Sequence, residues 1–338
     1  MRPAQAILNA VHRGVTVRVL TNNYLTSDCE GSVSPLTFLA LNKVSVKYYA
    51  STTFYHAKYM SRDGKAASVS SINFSKTSYT KNREAGMVVE GSSDAIKFMT
   101  SVFEDDWSAA TSYTINQTYP SADMDIITAT TKRSYTLPDI SPGMAPTPTP
   151  VAASDVSALK VYTSPDYAHT TLMDQLRNAT KSVEIEIYQV TDDDLCSFLA
   201  GLGSQEGGPT LKLLVSRYIY GPRDHTLATA CYNKLQGAGV TVRMTQDISF
   251  YQYCHQKFWI VDGKTVGMST GNWSPSDYPQ NYQGVPHGKP GWEVSNRDYT
   301  LEVTSPSVVK TFQQVIDQDY QAGGTFSPGR HGHGLVML

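Results

Sequence analysis

Tyr253–Ser274 reads YCHQKFWIVDGKTVGMSTGNWS, and an earlier stretch, Tyr55–Ser75, repeats its plan as YHAKYMSRDGKAASVSSINFS. In both stretches His-x-Lys is followed after four residues by Asp and then by Gly-Lys. A turn rich in Ser and Thr comes next and ends in Asn. The equivalent residues stand 199 positions apart. They are His56 and His255, Lys58 and Lys257, Asp63 and Asp262, and Asn73 and Asn272.

Each stretch is predicted to form a β-hairpin. Asp63-Gly64 and Asp262-Gly263 are dipeptides that favour a two-residue turn, because both turn positions need a positive φ. Apolar and aromatic residues flank the turns, as expected of paired strands. Side chains alternate along a strand, so the His and Lys of each motif share one face.

The residue types at these positions suit a phosphate group. Lys supplies positive charge and His supplies a nitrogen that titrates near neutral pH. Asn73 and Asn272 would add amide donors from the returning strand. A single copy of this pattern could arise by chance, but two copies at matched spacing indicate a functional site.

The duplicated His-x-Lys-x4-Asp motif resembles the phospholipase D superfamily, in which Gly-Ser-x-Asn follows the motif. This chain has Ser70-Ser71-Ile72-Asn73 and Ser269-Thr270-Gly271-Asn272, so serine replaces the glycine in both copies. The resemblance implies two repeats related by a pseudo-twofold axis, with both His-x-Lys strands facing one cleft.

The resemblance also implies a mechanism. One His attacks phosphorus to form a phosphohistidine, the other protonates the leaving oxygen, and water then releases the product. By resemblance His56 is the nucleophile and His255 the acid and base. Lys58, Lys257, Asn73 and Asn272 would hold the non-bridging oxygens. We expect no cofactor and no metal.

An acid is needed to orient each histidine. The triplets Asn82-Arg83-Glu84 and Asn296-Arg297-Asp298 stand at matching places in the two repeats. We assign Glu84 to His56 and Asp298 to His255, and we expect Arg83 and Arg297 to pair with neighbouring acids. Asp63 and Asp262 belong to the catalytic motif by resemblance, and we interpret them as mainly structural residues of the hairpin turns.

Alternating strand and helix patterns favour an α/β layered fold of two pseudo-symmetric α-β-α repeats. We predict a first repeat over residues 1–107, a Pro/Ser/Thr-rich linker over 108–157, a second repeat over 158–322 and a flexible tail over 323–338. The strand-helix-strand pattern of Leu159–Val190 has no counterpart before residue 4. Either the first repeat is unusually small or the chain lacks an N-terminal block. We expect the second, with any signal peptide in the missing segment.

Composition narrows the class of protein. The chain has 338 residues, 40% of them hydrophobic and 17% charged, with a formal net charge of −2. A duplex-binding protein would show a basic excess. No apolar run is long enough to span a bilayer.

The four cysteines form no Cys-x-x-Cys pair, so we predict no zinc site, while two disulfides are permitted. Sequons at Asn116 and Asn178 favour a secreted or lumenal location.

An insertion next to the second motif is a candidate for the substrate-binding surface. Pro275–Ser295 is predicted to be an insertion that forms a rim or lid, where Tyr278, Tyr282 and Trp292 could contact lipid or stack on a nucleotide. Three hypotheses follow. The first is a phospholipase D-type phosphodiesterase that acts on glycerophospholipids at a membrane surface. The second is a single-strand nuclease similar to the lysosomal exonucleases, and the third is an inactive, truncated binding protein.

Overall fold

A computed structural model describes residues 2–22, 35–49, 53–91, 93–115, 150–246, 251–285, 289–290, 294–327 and 332–333. It is a mixed α/β protein, as predicted. The chain divides into two compact units. The first unit comprises residues 1–55 and 101–141, and the second comprises 56–100 and 142–338.

The described residues form eight α-helices and seventeen β-strands. The helices are α1 (Arg2–His12), α2 (Pro35–Leu41), α3 (Lys76–Thr80), α4 (Ser93–Ala109), α5 (Ala168–Arg177), α6 (Asp193–Ser204), α7 (Pro222–Gly237) and α8 (Pro306–Ala322). The strands are β1 (Arg18–Asn22), β2 (Ser45–Tyr49), β3 (Thr53–Tyr55), β4 (Tyr59–Arg62), β5 (Ala66–Ser70), β6 (Gly86–Glu90), β7 (Thr111–Ser112), β8 (Ala158–Ser164), β9 (Ser182–Ile187), β10 (Thr210–Val215), β11 (Tyr218–Ile219), β12 (Thr241–Met244), β13 (Lys257–Val261), β14 (Thr265–Ser269), β15 (Ser295–Thr304), β16 (Gly324–Thr325) and β17 (Gly332–His333).

The first unit is built on a small sheet in the order β1-β2-β7. Strands β1 and β2 are parallel, and α2 lies between them in the chain, so they form a β-α-β crossover. The apolar face of α1 supplies Leu8 to a core that also contains Phe38 and Val46. Burial of this face accounts for the 3.6-residue spacing of apolar residues in the first helix.

The second unit contains a mixed sheet in the order β16-β12-β10-β9-β13-β14-β15-β8. Its β9, β10 and β12 are parallel, and the motif hairpin β13-β14 joins them antiparallel to β9. A separate antiparallel sheet, β4-β5-β6, carries the hairpin of the first motif.

Apolar residues cover both faces of the large sheet, which explains why β13 is buried along its whole length. Trp259 and Val261 pack with residues of α5, α6 and α7 on one face. Phe258 and Ile260, the alternate residues, pack with α8 on the other. Phe258 and Trp259 therefore serve strand packing, one on each face of the sheet.

A disulfide links Cys196 of α6 to Cys231 of α7, with Cα atoms 5.7 Å apart. Cys254 is a free, buried thiol.

None of the described helices combines the length and apolar character needed to cross a bilayer. The residues predicted to form a flexible tail begin with β16, which pairs with β12, and with Phe326, which is buried in the core. Most of the predicted linker, residues 116–149, lies outside the described residues.

Candidate active site

The two motifs form hairpins, as the sequence predicted. Strand β4 pairs with β5, and β13 pairs with β14, both antiparallel. Asp63 and Asp262 each have a φ of 55°, and the glycines that follow them are also in the left-handed region. A positive φ at both turn positions is the geometry that Asp-Gly dipeptides favour.

The two turn aspartates differ in what they contact. Asp262 accepts hydrogen bonds from the backbone N–H groups of Thr180, Lys181 and Ser182 and from the hydroxyl of Thr180. It thereby fixes the start of β9 to the hairpin, and these donors lower its pKa although its burial acts in the opposite direction. Asp63 is exposed. The interpretation of the motif aspartates as structural residues of the hairpin turns therefore agrees with the contacts of Asp262.

Each motif histidine contacts the acid of the other repeat, which corrects the pairing assigned from sequence. Nδ1 of His255 lies 3.1 Å from Oε2 of Glu84, and Nδ1 of His56 lies 3.0 Å from Oδ1 of Asp298. We expected Glu84 to pair with His56 and Asp298 with His255. Both pairs are reversed.

Backbone hydrogen bonds between the repeats explain the reversal. The N–H of His255 donates to the carbonyl of Arg83, and the N–H of Arg83 donates to Tyr253, both at 2.8 Å. Likewise the N–H of His56 donates to the carbonyl of Arg297 at 3.1 Å. Each acid triplet therefore runs beside the opposite motif strand, and the acid that follows its arginine reaches the opposite histidine.

Hydroxyl groups from the Ser/Thr-rich turns hold the two acids. Ser71 Oγ donates to Glu84 at 2.6 Å, and Thr270 Oγ1 donates to Asp298 at 2.5 Å. Asn82 adds a bond to Glu84 from its side-chain amide at 3.1 Å. The hydroxyl positions that follow the replaced glycines thus orient the acids.

The arginines of the triplets pair with other acids, as expected. Arg83 donates to Asp319 at 2.8 Å from Nε, and Arg297 donates to Asp166 at 2.7 Å. Both arginines are therefore engaged in ion pairs within the second unit.

The motif lysines are buried beside their histidines. Lys58 Nζ donates to the carbonyl of His56, and Lys257 Nζ donates to that of His255, both at 2.6 Å. Lys58 also donates to the carbonyl of Thr270 at 3.3 Å, so the two motifs are in contact. Burial lowers the pKa of Lys58 to about 8 and that of Lys257 to about 7. An anion between them would stabilise the charged forms.

A further acid, Asp277, was not identified from sequence. Its Oδ1 lies 3.2 Å from Nδ1 of His56, and its side chain is 2% exposed. Donors from Ser274 Oγ at 2.6 Å, Asn296 Nδ2 at 2.7 Å and the N–H of Asn272 at 3.1 Å hold the carboxylate. Asp277 was assigned to the insertion that starts at Pro275, which concealed its place in the repeat.

The two histidines differ electrostatically. Burial and the charge of Lys58 act to lower the pKa of His56, but Asp298 and Asp277 outweigh them and raise it above its ordinary value. Burial and the charge of Lys257 lower the pKa of His255 to about 4, although Glu84 opposes them. The charge of His56 in turn keeps the pKa of Asp277 well below its usual range in spite of burial.

A match to a family model shows the family to which this chain belongs. The model is described as the phospholipase D-like domain of cardiolipin synthase, and it matches residues 2–107 and 172–320, which is more than half of the chain. The chain belongs to the phospholipase D-like family. Its fold, with the domain duplicated over these two regions, is the phospholipase D type that the sequence predicted.

Known relatives in this superfamily differ in what their names say they act on. Mitochondrial cardiolipin hydrolase of Chlamydomonas reinhardtii is 23% identical over 158 residues, which are 45% of this chain and 60% of that protein. The match thus spans less than two thirds of the relative. The crystal structure of phosphatidylserine synthase from Haemophilus influenzae aligns with 95% of this chain and 79% of its own, at 13% identity and a TM-score of 0.62.

A more distant structure shares the fold as well. Polyphosphate kinase from Porphyromonas gingivalis aligns with 93% of this chain and 42% of its own, at 12% identity and a TM-score of 0.52. At such identities these two likenesses concern the fold alone. Members of the superfamily are phosphodiesterases and other hydrolases. The duplicated motif of this phospholipase D-like chain is the one that such proteins carry.

One group of described residues in this phospholipase D-like site is compact enough to hold a cation. The donor atoms of His56, Asp277 and Asp298 lie within 4.8 Å of one another. We interpret the group as an imidazole between two carboxylates, because both acids lie at hydrogen-bonding distance from Nδ1. The expectation that no metal is needed stays a prediction.

The predicted rim is only partly as expected. Tyr278 is 1% exposed and belongs to the core, so its predicted contact with substrate is wrong. It lies in the core cluster that also contains Trp259 and Trp273. Tyr282 is half-buried, and Trp292 lies outside the described residues.

Asn73 and Asn272 are half-buried, and their contact with phosphate oxygens stays a prediction.

Proposed function

We propose that the protein is a phosphodiesterase that hydrolyses glycerophospholipids to phosphatidic acid and an alcohol through a phosphohistidine. The observation that carries the proposal is the pair of His–acid contacts in one unit, His56 with Asp298 and His255 with Glu84. In both, the acid contacts Nδ1, and we assign the chemistry to Nε2 of each ring. This arrangement fixes the tautomer of an imidazole that must attack or transfer a proton.

The mechanism needs two imidazoles with different protonation states. A neutral imidazole forms a bond to phosphorus while the protonated one donates a proton to the leaving oxygen. Lys58 and Lys257 would stabilise the charge on the non-bridging oxygens, with Asn73 and Asn272 as further donors. Both lysines are buried, so their charge is little screened by solvent.

Three features support a lipid substrate. The family model is described by cardiolipin synthase, and the curated relative is named for the hydrolysis of cardiolipin, a glycerophospholipid. The formal net charge of −2 gives no basic excess for a nucleic-acid backbone. We infer a substrate presented at a membrane surface.

A panel of substrates tests the proposal. Purified protein is incubated with cardiolipin vesicles, phosphatidylcholine vesicles and labelled single-stranded DNA. His56→Ala and His255→Ala serve as inactive variants, and His12→Ala, which changes an exposed histidine of α1, serves as the matched control.

Formation of phosphatidic acid with release of the headgroup alcohol by the wild type and His12→Ala, lost in both motif variants, supports the proposal. Shortened DNA with intact lipid supports the nuclease instead. A folded wild-type protein that leaves all three substrates unchanged supports an inactive homologue.

We also propose a secreted or lumenal location. The Cys196–Cys231 disulfide supports it, because disulfides persist mainly in oxidising compartments. Thiol labelling of the protein as it is made in its own cells tests this. Labelling of both cysteines without prior reduction would contradict it.

A further inference from the structure

Position 78 of the first repeat and position 277 of the second are equivalent, yet they carry a serine and an aspartate. Ser78 and Asp277 lie 199 residues apart, which is the spacing of the equivalent motif residues. Ser75 Oγ accepts from the N–H of Ser78 at 3.3 Å, and Ser274 Oγ accepts from the N–H of Asp277 at 3.2 Å. The two turns are therefore built in the same way.

The environment of the two side chains is also the same. The triplet amide of Asn82 donates to Ser78 Oγ at 3.5 Å, and that of Asn296 donates to Asp277 Oδ1 at 2.7 Å. Both side chains are buried, with exposures of 6% and 2%. The repeat thus places a hydroxyl at this position in one half of the site and a carboxylate in the other.

The substitution makes the surroundings of the two histidines unequal. Nδ1 of His56 contacts two carboxylates, Asp298 at 3.0 Å and Asp277 at 3.2 Å. Nδ1 of His255 contacts one carboxylate, Glu84 at 3.1 Å, and the backbone carbonyl of Ser71 at 3.0 Å. A second carboxylate favours the imidazolium form of the histidine it faces.

The nearby cations act in the opposite sense on both rings. Lys58 faces His56, whereas Lys257 and Lys58 both act on His255. Among the described residues, two carboxylates contact His56, whereas one carboxylate contacts His255, and both Lys257 and Lys58 oppose the protonation of His255. The balance of charge favours a protonated His56 beside a neutral His255.

We propose that Asp277 is a positioning residue that makes His56 the proton donor and leaves His255 as the nucleophile. This inference rests on the proposed function and reverses the order that the resemblance implied. Asp277 acts through His56, and Ser78 is the equivalent that leaves His255 neutral.

The reaction then proceeds in two steps. The Nε2 lone pair of neutral His255 forms an N–P bond, and the P–O bond to the leaving alkoxide breaks. The proton on Nε2 of His56 passes to that oxygen, so a neutral alcohol leaves. In the second step water attacks phosphorus, gives a proton to Nε2 of His56, and the N–P bond breaks to restore neutral His255.

The directions of the pKa shifts agree with this assignment. Asp298 and Asp277 raise the pKa of His56 against burial and Lys58, whereas burial and Lys257 lower that of His255 to about 4. At neutral pH the second ring is unprotonated, as a nucleophile must be.

A trapping experiment identifies the nucleophile. Bis(p-nitrophenyl) phosphate is used because p-nitrophenolate leaves without a proton, so the first step survives loss of the acid. We expect His56→Ala to release about one p-nitrophenolate per protein and to carry a phosphoryl adduct on His255, located by peptide mass spectrometry at alkaline pH. We expect no adduct in His255→Ala. An adduct on His56 in His255→Ala, with none in His56→Ala, would overturn the proposal.

A second experiment tests Asp277 itself. The histidine ring resonances of wild type, Asp277→Ser, Asp277→Asn and Ser78→Asp are followed by NMR as a function of pH. We expect both Asp277 variants to lower the titration midpoint of His56 by about one pH unit, and Ser78→Asp to raise that of His255. Asp277→Asn keeps the shape of the side chain, so it reports on charge even if Asp277→Ser does not fold.

The activity profile separates this role from a structural one. Since His56 must be protonated, activity falls as pH rises through its pKa, and Asp277→Asn should move that limb to lower pH. A uniform loss of kcat at every pH, with an unchanged midpoint for His56, would contradict the proposal. A wild-type protein that cleaves no diester refutes the proposed function, whereas equal midpoints for the two histidines refute the asymmetry on their own.

Discussion

Oε2 of Glu84 lies 3.1 Å from Nδ1 of His255, although the two residues stand 171 positions apart and belong to different repeats. The reciprocal contact joins His56 to Asp298 across 242 positions. Neither repeat therefore contains a complete His–acid pair, and the site exists only when both triplets lie against the opposite motif strands.

Replacing Glu84 by glutamine tests the crossed pairing. We expect the ring resonances of His255 to shift while those of His56 remain in place, because the contact belongs to the other repeat. Activity should fall by about 10²-fold or more, since an amide cannot fix the required tautomer. Asp298→Asn is the matched variant and should shift His56 instead. Each acid affecting the histidine of its own repeat would contradict the crossing.

The two motif aspartates should contribute unequally to stability. Asp262→Asn removes a charged acceptor of several hydrogen bonds and should lower the free energy of unfolding by about 1–2 kcal/mol. Asp63→Asn, at an exposed turn with the same φ, should change it little. Asparagine tolerates positive φ, so neither variant adds backbone strain. Urea unfolding measures both, and equal losses would count against the structural role of Asp262.

The difference between the wild type and Asp262→Asn should depend on pH. The folded-state pKa of Asp262 is lowered, so its contribution is present above the unfolded value and is lost as pH falls through the folded value. The two proteins should therefore approach equal stability in acid.

Binding of a phosphodiester anion should weaken as pH rises. Burial lowers the pKa of Lys257 to about 7 and that of Lys58 to about 8, so both lose charge in mild alkali. Diethyl phosphate keeps one negative charge throughout, and calorimetry should show tighter binding at about pH 6 than at about pH 9. Lys257→Met should reduce this dependence, and Lys264→Met, at an exposed turn position, should keep it. An affinity that is independent of pH would argue against the buried lysines as the anion site.

Removal of divalent metal should leave activity unchanged. The cluster of His56, Asp277 and Asp298 is compact, but Nδ1 of the histidine is at hydrogen-bonding distance from both acids. Activity is measured before and after dialysis against EDTA, with metal analysis of both samples. Loss of activity with EDTA, and recovery on return of a cation, would show that the cluster binds a catalytic metal.

The sequence predicted local structure well because the relevant forces are local. The Asp-Gly turns, the apolar helix faces and the duplicated motif all appear in the chain itself, and the hairpins and helices follow. The crossing of Glu84 and Asp298 could not be predicted in this way, because it depends on backbone bonds such as that from Arg83 to Tyr253 between the repeats.

Two features were missed although the sequence carried signals for them. The 199-residue offset extends from Asn73 to Tyr79, and it would have matched Ser78 with Asp277 and shown that Tyr278 continues the repeat. The insertion was placed at Pro275 instead, so an acid of the site was read as part of a rim. The Cys196–Cys231 pair had no such signal, because it depends on how α6 and α7 pack.

The central claim is that both motif histidines act on one phosphodiester, and a double-mutant comparison tests it most directly. The rates of His56→Ala, His255→Ala and the double variant are measured on whichever diester of the panel the wild type cleaves. Because residues that act as a unit are not additive, we predict that each single variant loses about 10³-fold or more and that the double variant loses no more than the worse single one. A single variant with wild-type activity, or losses that multiply in the double variant, would contradict a shared site.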